Sequence, residues 1–96
     1  MKLQQLRYLN EVVRQGFNVS AAAEALFTSQ PGVSKQIRLL EEELGVEVFV
    51  RNGKRLTEMT QPGRDVVSAV RRVLREMENL RQVGLEFTNQ DSGLLT

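Results

Sequence analysis

Ninety-six residues with 41% hydrophobic content suffice for one small domain with a modest core, part of whose apolar surface is expected to need a partner. The chain has neither cysteine nor histidine, which rules out disulfides, thiolate or imidazole metal sites, cysteine nucleophiles and every Ser/His or Cys/His catalytic arrangement. No enzyme and no cofactor are therefore expected. The net charge of +1 does not by itself point to nucleic acid, but the charge is segregated: Lys35 to Arg38 and Arg51 to Arg55 contain no acidic residue, while Glu41, Glu42 and Glu43 adjoin one another as the exposed end of a helix.

The N-terminus mixes polar with apolar residues, and no apolar run approaches the length of a membrane span. A cytoplasmic protein without membrane contact is expected.

Leu3, Leu6, Leu9, Val12 and Val13 recur at helical spacing before Gly16, which predicts a first amphipathic helix over residues 3–15. Ser20 precedes Ala-Ala-Ala-Glu-Ala-Leu-Phe, an N-cap ahead of strong helix formers, which predicts a second helix over residues 21–27. Thr28-Ser29-Gln30-Pro31-Gly32 breaks the periodicity. There Ser29 is placed to cap and Pro31 to occupy a first turn that has no backbone donor to lose. The third helix carries Val33, Ile37, Leu40 and Leu44 as one apolar stripe and ends at Gly45, so Ser34, Lys35 and Arg38 point away from the stripe.

After Gly45 the pattern becomes β-branched, Val46-Glu47-Val48-Phe49-Val50, and Asn52-Gly53 separates it from Arg55-Leu56-Thr57. Asn-Gly between strand-like runs predicts a hairpin with a type I′ turn, both of whose central residues take positive φ. Its tip is basic, with Arg51, Lys54 and Arg55. Thr60 caps a last helix beginning near Gln61-Pro62, in which Val66, Val70, Val73, Met77, Leu80, Gly84 and Phe87 form a heptad seam. The alternative for Val66 to Val73 is to pack back on the first helix of the same chain. Met77, Leu80 and Phe87 would then stay exposed, which favours a second copy as the partner.

The fold class expected is mostly α: a winged helix-turn-helix of three helices plus a two-stranded hairpin over residues 1–59, then a dimerisation helix over 60–88. The polar residues 89–96 read as the start of a linker. In this geometry the third helix enters the major groove of double-stranded DNA. There Gln30 suits adenine and Lys35 suits guanine, while Ser29 and Ser34 can donate to phosphate. Arg51, Lys54 and Arg55 would reach the backbone or the minor groove. Each residue also has a plainer explanation. Ser29 and Pro31 begin a helix, Lys35 and Arg38 form a solvated face, and the wing cations protect a sheet edge. The order of cap, turn, basic helix, basic hairpin and seam favours the DNA-binding reading. The competitor from another class is a helical protein-interaction module whose purpose is the seam itself.

Residues 1 to roughly 88 resemble the N-terminal region of LysR-type transcriptional regulators. The likeness rests on Ser20-Ala-Ala-Ala-Glu-Ala-Leu, Ser29-Gln-Pro-Gly-Val-Ser-Lys-Gln-Ile, Leu40-Glu-Glu-Glu-Leu-Gly, Val48-Phe-Val-Arg51 and Thr60-Gln-Pro-Gly. It implies DNA contacts at Gln30, Pro31, Ser34, Lys35 and Arg51. Many members have alanine where this chain has Gly32 and arginine where it has Lys35; lysine keeps the charge but not the two-pronged guanine contact. Met-Lys-Leu-Gln-Gln-Leu-Arg-Tyr, Phe27-Thr-Ser-Gln-Pro-Gly and Arg51-Asn-Gly-Lys-Arg-Leu-Thr resemble the CysB/Cbl branch, which implies control of sulfur and cysteine metabolism. Pairing of two long helices into a homodimer predicts an interrupted inverted repeat as the site, and the family resemblance further implies tetramers of the full-length protein and a small-molecule effector bound by a C-terminal domain outside these residues.

Overall fold

Short apolar stripes separated by strong punctuation build, among the described residues, four helices and one hairpin in the computed structural model: α1 (Leu3–Arg14), α2 (Val19–Ala25), α3 (Gln30–Leu44), β1 (Phe49–Asn52), β2 (Arg55–Met59) and α4 (Gln61–Leu95). The structure describes residues 1–95, with side chains through residue 88. The linker expected at 89–96 therefore lies outside the described side chains.

The inward faces of α1, α2 and α3 meet in one core of Leu6, Leu9, Val12, Ala22, Ala23, Val33, Ile37 and Leu40, closed by Val48 and Phe49 below the wing and by Val67 and Val70 of α4. Burying each of the larger aliphatic side chains contributes about 1.5–3 kcal/mol. The alanines of α2 keep the helices close, as small side chains must where backbones approach.

Between α1 and α2 the chain turns through two consecutive left-handed residues, Gly16 (φ 67°) and Phe17 (φ 70°). The Phe17 ring then meets the buried Phe49 ring edge-on at 5.7 Å. That turn delivers Asn18, not Ser20, to the capping position: its side chain accepts from the Ala21 amide at 2.9 Å. Helix α2 therefore starts and ends two residues earlier than expected, and Phe27 lies outside it. Helix α3 follows expectation. Ser29 accepts from the Gly32 amide at 3.1 Å, and Gly45 closes the helix at φ 75°.

The wing differs from the expected hairpin in two ways. Its two-residue loop is Gly53-Lys54 rather than Asn52-Gly53, with Asn52 paired to Arg55. Only Gly53 takes positive φ (65°), the pattern of a II′ rather than a I′ turn. The strand also begins at Phe49 rather than Val46, because the amides of Val48 and Phe49 donate to the Glu41 carboxylate at 2.7 and 3.4 Å instead of to a neighbouring strand. The register shifts between Val50 and Arg51, which leaves Thr57 unpaired opposite them, its hydroxyl donating to the Val50 carbonyl at 3.4 Å.

Thr60 joins the wing to α4. Its hydroxyl accepts from the Gly63 amide at 2.9 Å and donates to the Glu47 carbonyl, and its own amide donates to the Val48 carbonyl at 2.9 Å. Helix α4 comes so close that a Cβ on Gly63 would stand 2.1 Å from the Val48 carbonyl oxygen. Only glycine fits there.

Candidate nucleic-acid interface

Helices α2 and α3 are joined by Leu26-Phe27-Thr28-Ser29, a turn closed by amides of Phe27 and Thr28 donating to the carbonyls of Glu24 and Ala23 at 3.2 and 3.0 Å. The start of α3 is thus hydrogen-bonded back to α2 through this turn, and Phe27 through Pro31 form one continuous exposed run. Further along the same helix Lys35 and Arg38 are exposed and Ser34 half-buried, while Val33 and Ile37 face the core. The apolar stripe thus fixes which way the polar side chains look.

The wing stands beside this face. A groove of 470 Å³ runs between the start of α2, the start of α3 and the hairpin, and it brings Gln30 together with Lys54 and Arg55. Asn18, Ser20 and Thr57 also line it. None of these three was singled out from sequence as a candidate contact, and only their spacing near helix and strand ends could have suggested them. A smaller adjoining cleft of 50 Å³ joins Ser34 and Arg38 to Arg51 and Lys54. Ser29, Pro31 and Lys35 lie outside both grooves, on the open face of α3.

Arg51 differs from the other wing cations. Its Nη2 lies 2.7 Å from Oε1 of Glu41, and Nη1 lies 3.3 Å from Oε2. Glu41 is only 6% exposed, which corrects the expectation that all of residues 41–43 form a solvated helix end; Glu42 and Glu43 are exposed. Its carboxylate is taken inside because two amides and a guanidinium satisfy it. The signal was present in the sequence: Val33, Ile37 and Glu41 are spaced by four and share a helix face.

The seam of α4 is split. Val70 is 5% exposed and belongs to the chain's own core, and Val66 is half-buried against it. Both follow the alternative of packing back within the chain. Val67, not singled out before, is buried with them. Val73, Met77, Leu80 and Phe87 continue outward, with Val73 47%, Leu80 70% and Phe87 63% exposed and Met77 half-buried. Leu3 and Val83 extend this patch, which forms the apolar lining beside Val73 and Leu80. Among the described residues no helix is long and apolar enough to cross a membrane.

The family model described as the bacterial regulatory helix-turn-helix protein, lysR family, matches residues 3–64. This chain belongs to the LysR family. The matched span of this LysR-family chain holds α1 to β2, the cap of α4 and its Gly63. The HTH-type transcriptional regulator CysB of Burkholderia cenocepacia is 54% identical over the whole chain, which spans 31% of that relative. The HTH-type transcriptional regulator cbl of Escherichia coli K12 is 50% identical, with 100% of this chain against 30% of that protein. The chain thus covers under a third of the length of these relatives. Among solved structures, the BenM DNA-binding domain in complex with benA site 1 DNA superposes with a TM-score of 0.82 at 28% identity, covering 92% of this chain and 97% of that one.

Proposed function

We propose that this chain is the DNA-binding region of a LysR-type transcriptional regulator of the CysB/Cbl kind, acting on genes of sulfur and cysteine metabolism in the cytoplasm, and that it has no catalytic role. Residues 1–59 read the duplex and residues 60–88 pair two copies. The observation that carries this reading is the single groove in which the amide of Gln30 meets the cations Lys54 and Arg55. It adjoins an open helix face that carries Lys35 and Arg38.

In this reading the start of α3 enters a major groove. Gln30 and Lys35 read base edges, with about 1–3 kcal/mol of discrimination for each good contact. Ser29 and Ser34 donate to phosphate, Pro31 sits against the groove wall, and Arg38, Lys54 and Arg55 neutralise phosphates on either side. Arg51 holds the wing in position through Glu41 and offers its outer edge to the backbone. Pairing through Val73, Met77, Leu80 and Phe87 sets two recognition helices at a fixed separation, so the site is an interrupted inverted repeat. The effector belongs to a domain outside these residues, and the tetramer to the longer protein.

An electrophoretic mobility shift with duplex DNA at rising salt tests the reading. Binding whose affinity falls steeply and linearly on a log–log salt plot supports it. Absence of a shifted band even at low salt overturns it.

A further inference from the structure

Among the described residues, two other than glycine take positive φ, and both are phenylalanines: Phe17 at 70° and Phe27 at 56°. A bulky side chain is crowded in this region of backbone space. At Phe17 the crowding is offset, because the ring packs on Phe49 and the core. At Phe27 it is not, since the ring is 96% exposed and makes almost no contact within the chain. Phe27 occupies the position just after the cap of α2, where glycine or asparagine ordinarily closes a helix. A strained backbone that presents a fully exposed aromatic ring breaks two local rules with no return inside the fold.

The ring is also held in a defined place. The amides of Phe27 and Thr28 are tied back to α2, and Ser29, two residues on, caps α3. Phe27 is continuous with the exposed run through Thr28, Ser29, Gln30 and Pro31, the face assigned to the duplex. We infer that Phe27 is a further DNA-contacting residue, whose ring lies against the apolar surface at the edge of the major groove, formed by deoxyribose carbons and thymine 5-methyl groups. The inference rests on the DNA-binding reading above and adds to it a contact that carries no charge.

The test compares the wild-type chain with Phe27→Asn, Phe27→Gly and Phe27→Tyr, using a duplex recovered from a random pool by the wild-type chain. Asparagine and glycine relieve the backbone, so their Tm is expected to equal or exceed that of the wild type. Their affinity for the duplex is expected to fall about tenfold, the loss of one good apolar contact, with the salt slope unchanged because no cation is removed. Tyrosine keeps the ring and should keep the affinity. Replacing the half-site thymines with deoxyuridine separates the two sources: the Phe27 dependence disappears if the methyl is the contact and persists if the sugar is. Wild-type affinity in both Phe27→Asn and Phe27→Gly overturns the inference, as does a Tm several degrees lower, which would assign the ring to the fold. Failure of the wild-type chain to bind any duplex would instead overturn the DNA-binding reading beneath it.

Discussion

The guanidinium of Arg51 lies across the buried carboxylate of Glu41, 2.7 Å from Nη2 to Oε1, and so ties the first strand of the wing to the last turns of α3. The same carboxylate holds the Val48 and Phe49 amides. The angle between wing and helix is thus set by one acidic side chain with three partners, and removing different partners has unequal consequences. Glu41→Ala strands two amides and a guanidinium, and is expected to cost about 3 kcal/mol, seen as a Tm lower by roughly 12–24 °C. Arg51→Ala leaves Glu41 with both amides and should cost about 1–2 kcal/mol. Thermal unfolding of the two variants checks the order, and equal losses would contradict this role for Glu41.

Gly63 is the second point at which the wing and α4 are locked. A methyl there would stand 2.1 Å from the Val48 carbonyl oxygen, which is backbone and has no rotamer to escape through. Gly63→Ala is therefore expected to destabilise by about 2 kcal/mol or more, and Gly84→Ala, where a Cβ would meet nothing within 4 Å, to be neutral or slightly stabilising. Denaturant titration distinguishes the pair.

Base reading and phosphate binding should separate by residue. Gln30→Ala is expected to flatten the preference among duplexes while leaving the salt slope near the wild-type value. Neutralising Lys54 and Arg55 together should weaken all duplexes alike and reduce the slope by about 2. Titrations of several duplexes at several salt concentrations check this, and the same response from both sets would count against the division of roles.

The two ends of the α4 seam should also behave differently. Leu80→Glu changes a residue that is 70% exposed, so the stability of the single chain should move by no more than about 0.5 kcal/mol while sedimentation shifts from dimer to monomer. Val70→Glu puts a carboxylate into the core and should unfold the chain. Retention of the dimer by Leu80→Glu would remove this surface from the pairing interface.

The ends of α3 could be read directly, because a serine cap, a proline in the first turn and a terminal glycine each have one strong local cause. The stripe of Val33, Ile37 and Leu40 could be read for the same reason. Elsewhere two signals competed. Asn18 and Ser20 are both good caps, and the left-handed pair Gly16 and Phe17, a tertiary feature, decides between them. On α4 a heptad count selects Val66 and Val70 as one seam. The helix instead turns Val67 and Val70 inward, since the first turns are anchored by Gly63 and Thr60 against the wing. The burial of Glu41 depended on donors that come from the wing, seven and more residues away. The candidate cations and Gln30 were legible from sequence. The groove that unites Gln30 with Lys54 and Arg55 required the hairpin to fold beside the helix.

Groove reading and pairing are both examined in one measurement by selecting bound sequences from a random duplex pool with this chain. Enrichment of two half-sites in inverted orientation is expected, separated by a fixed number of unselected base pairs and centred about one helical turn or a multiple of it apart. Recovery of unenriched sequences, or of lone half-sites without a preferred spacing, would contradict groove reading by a paired chain.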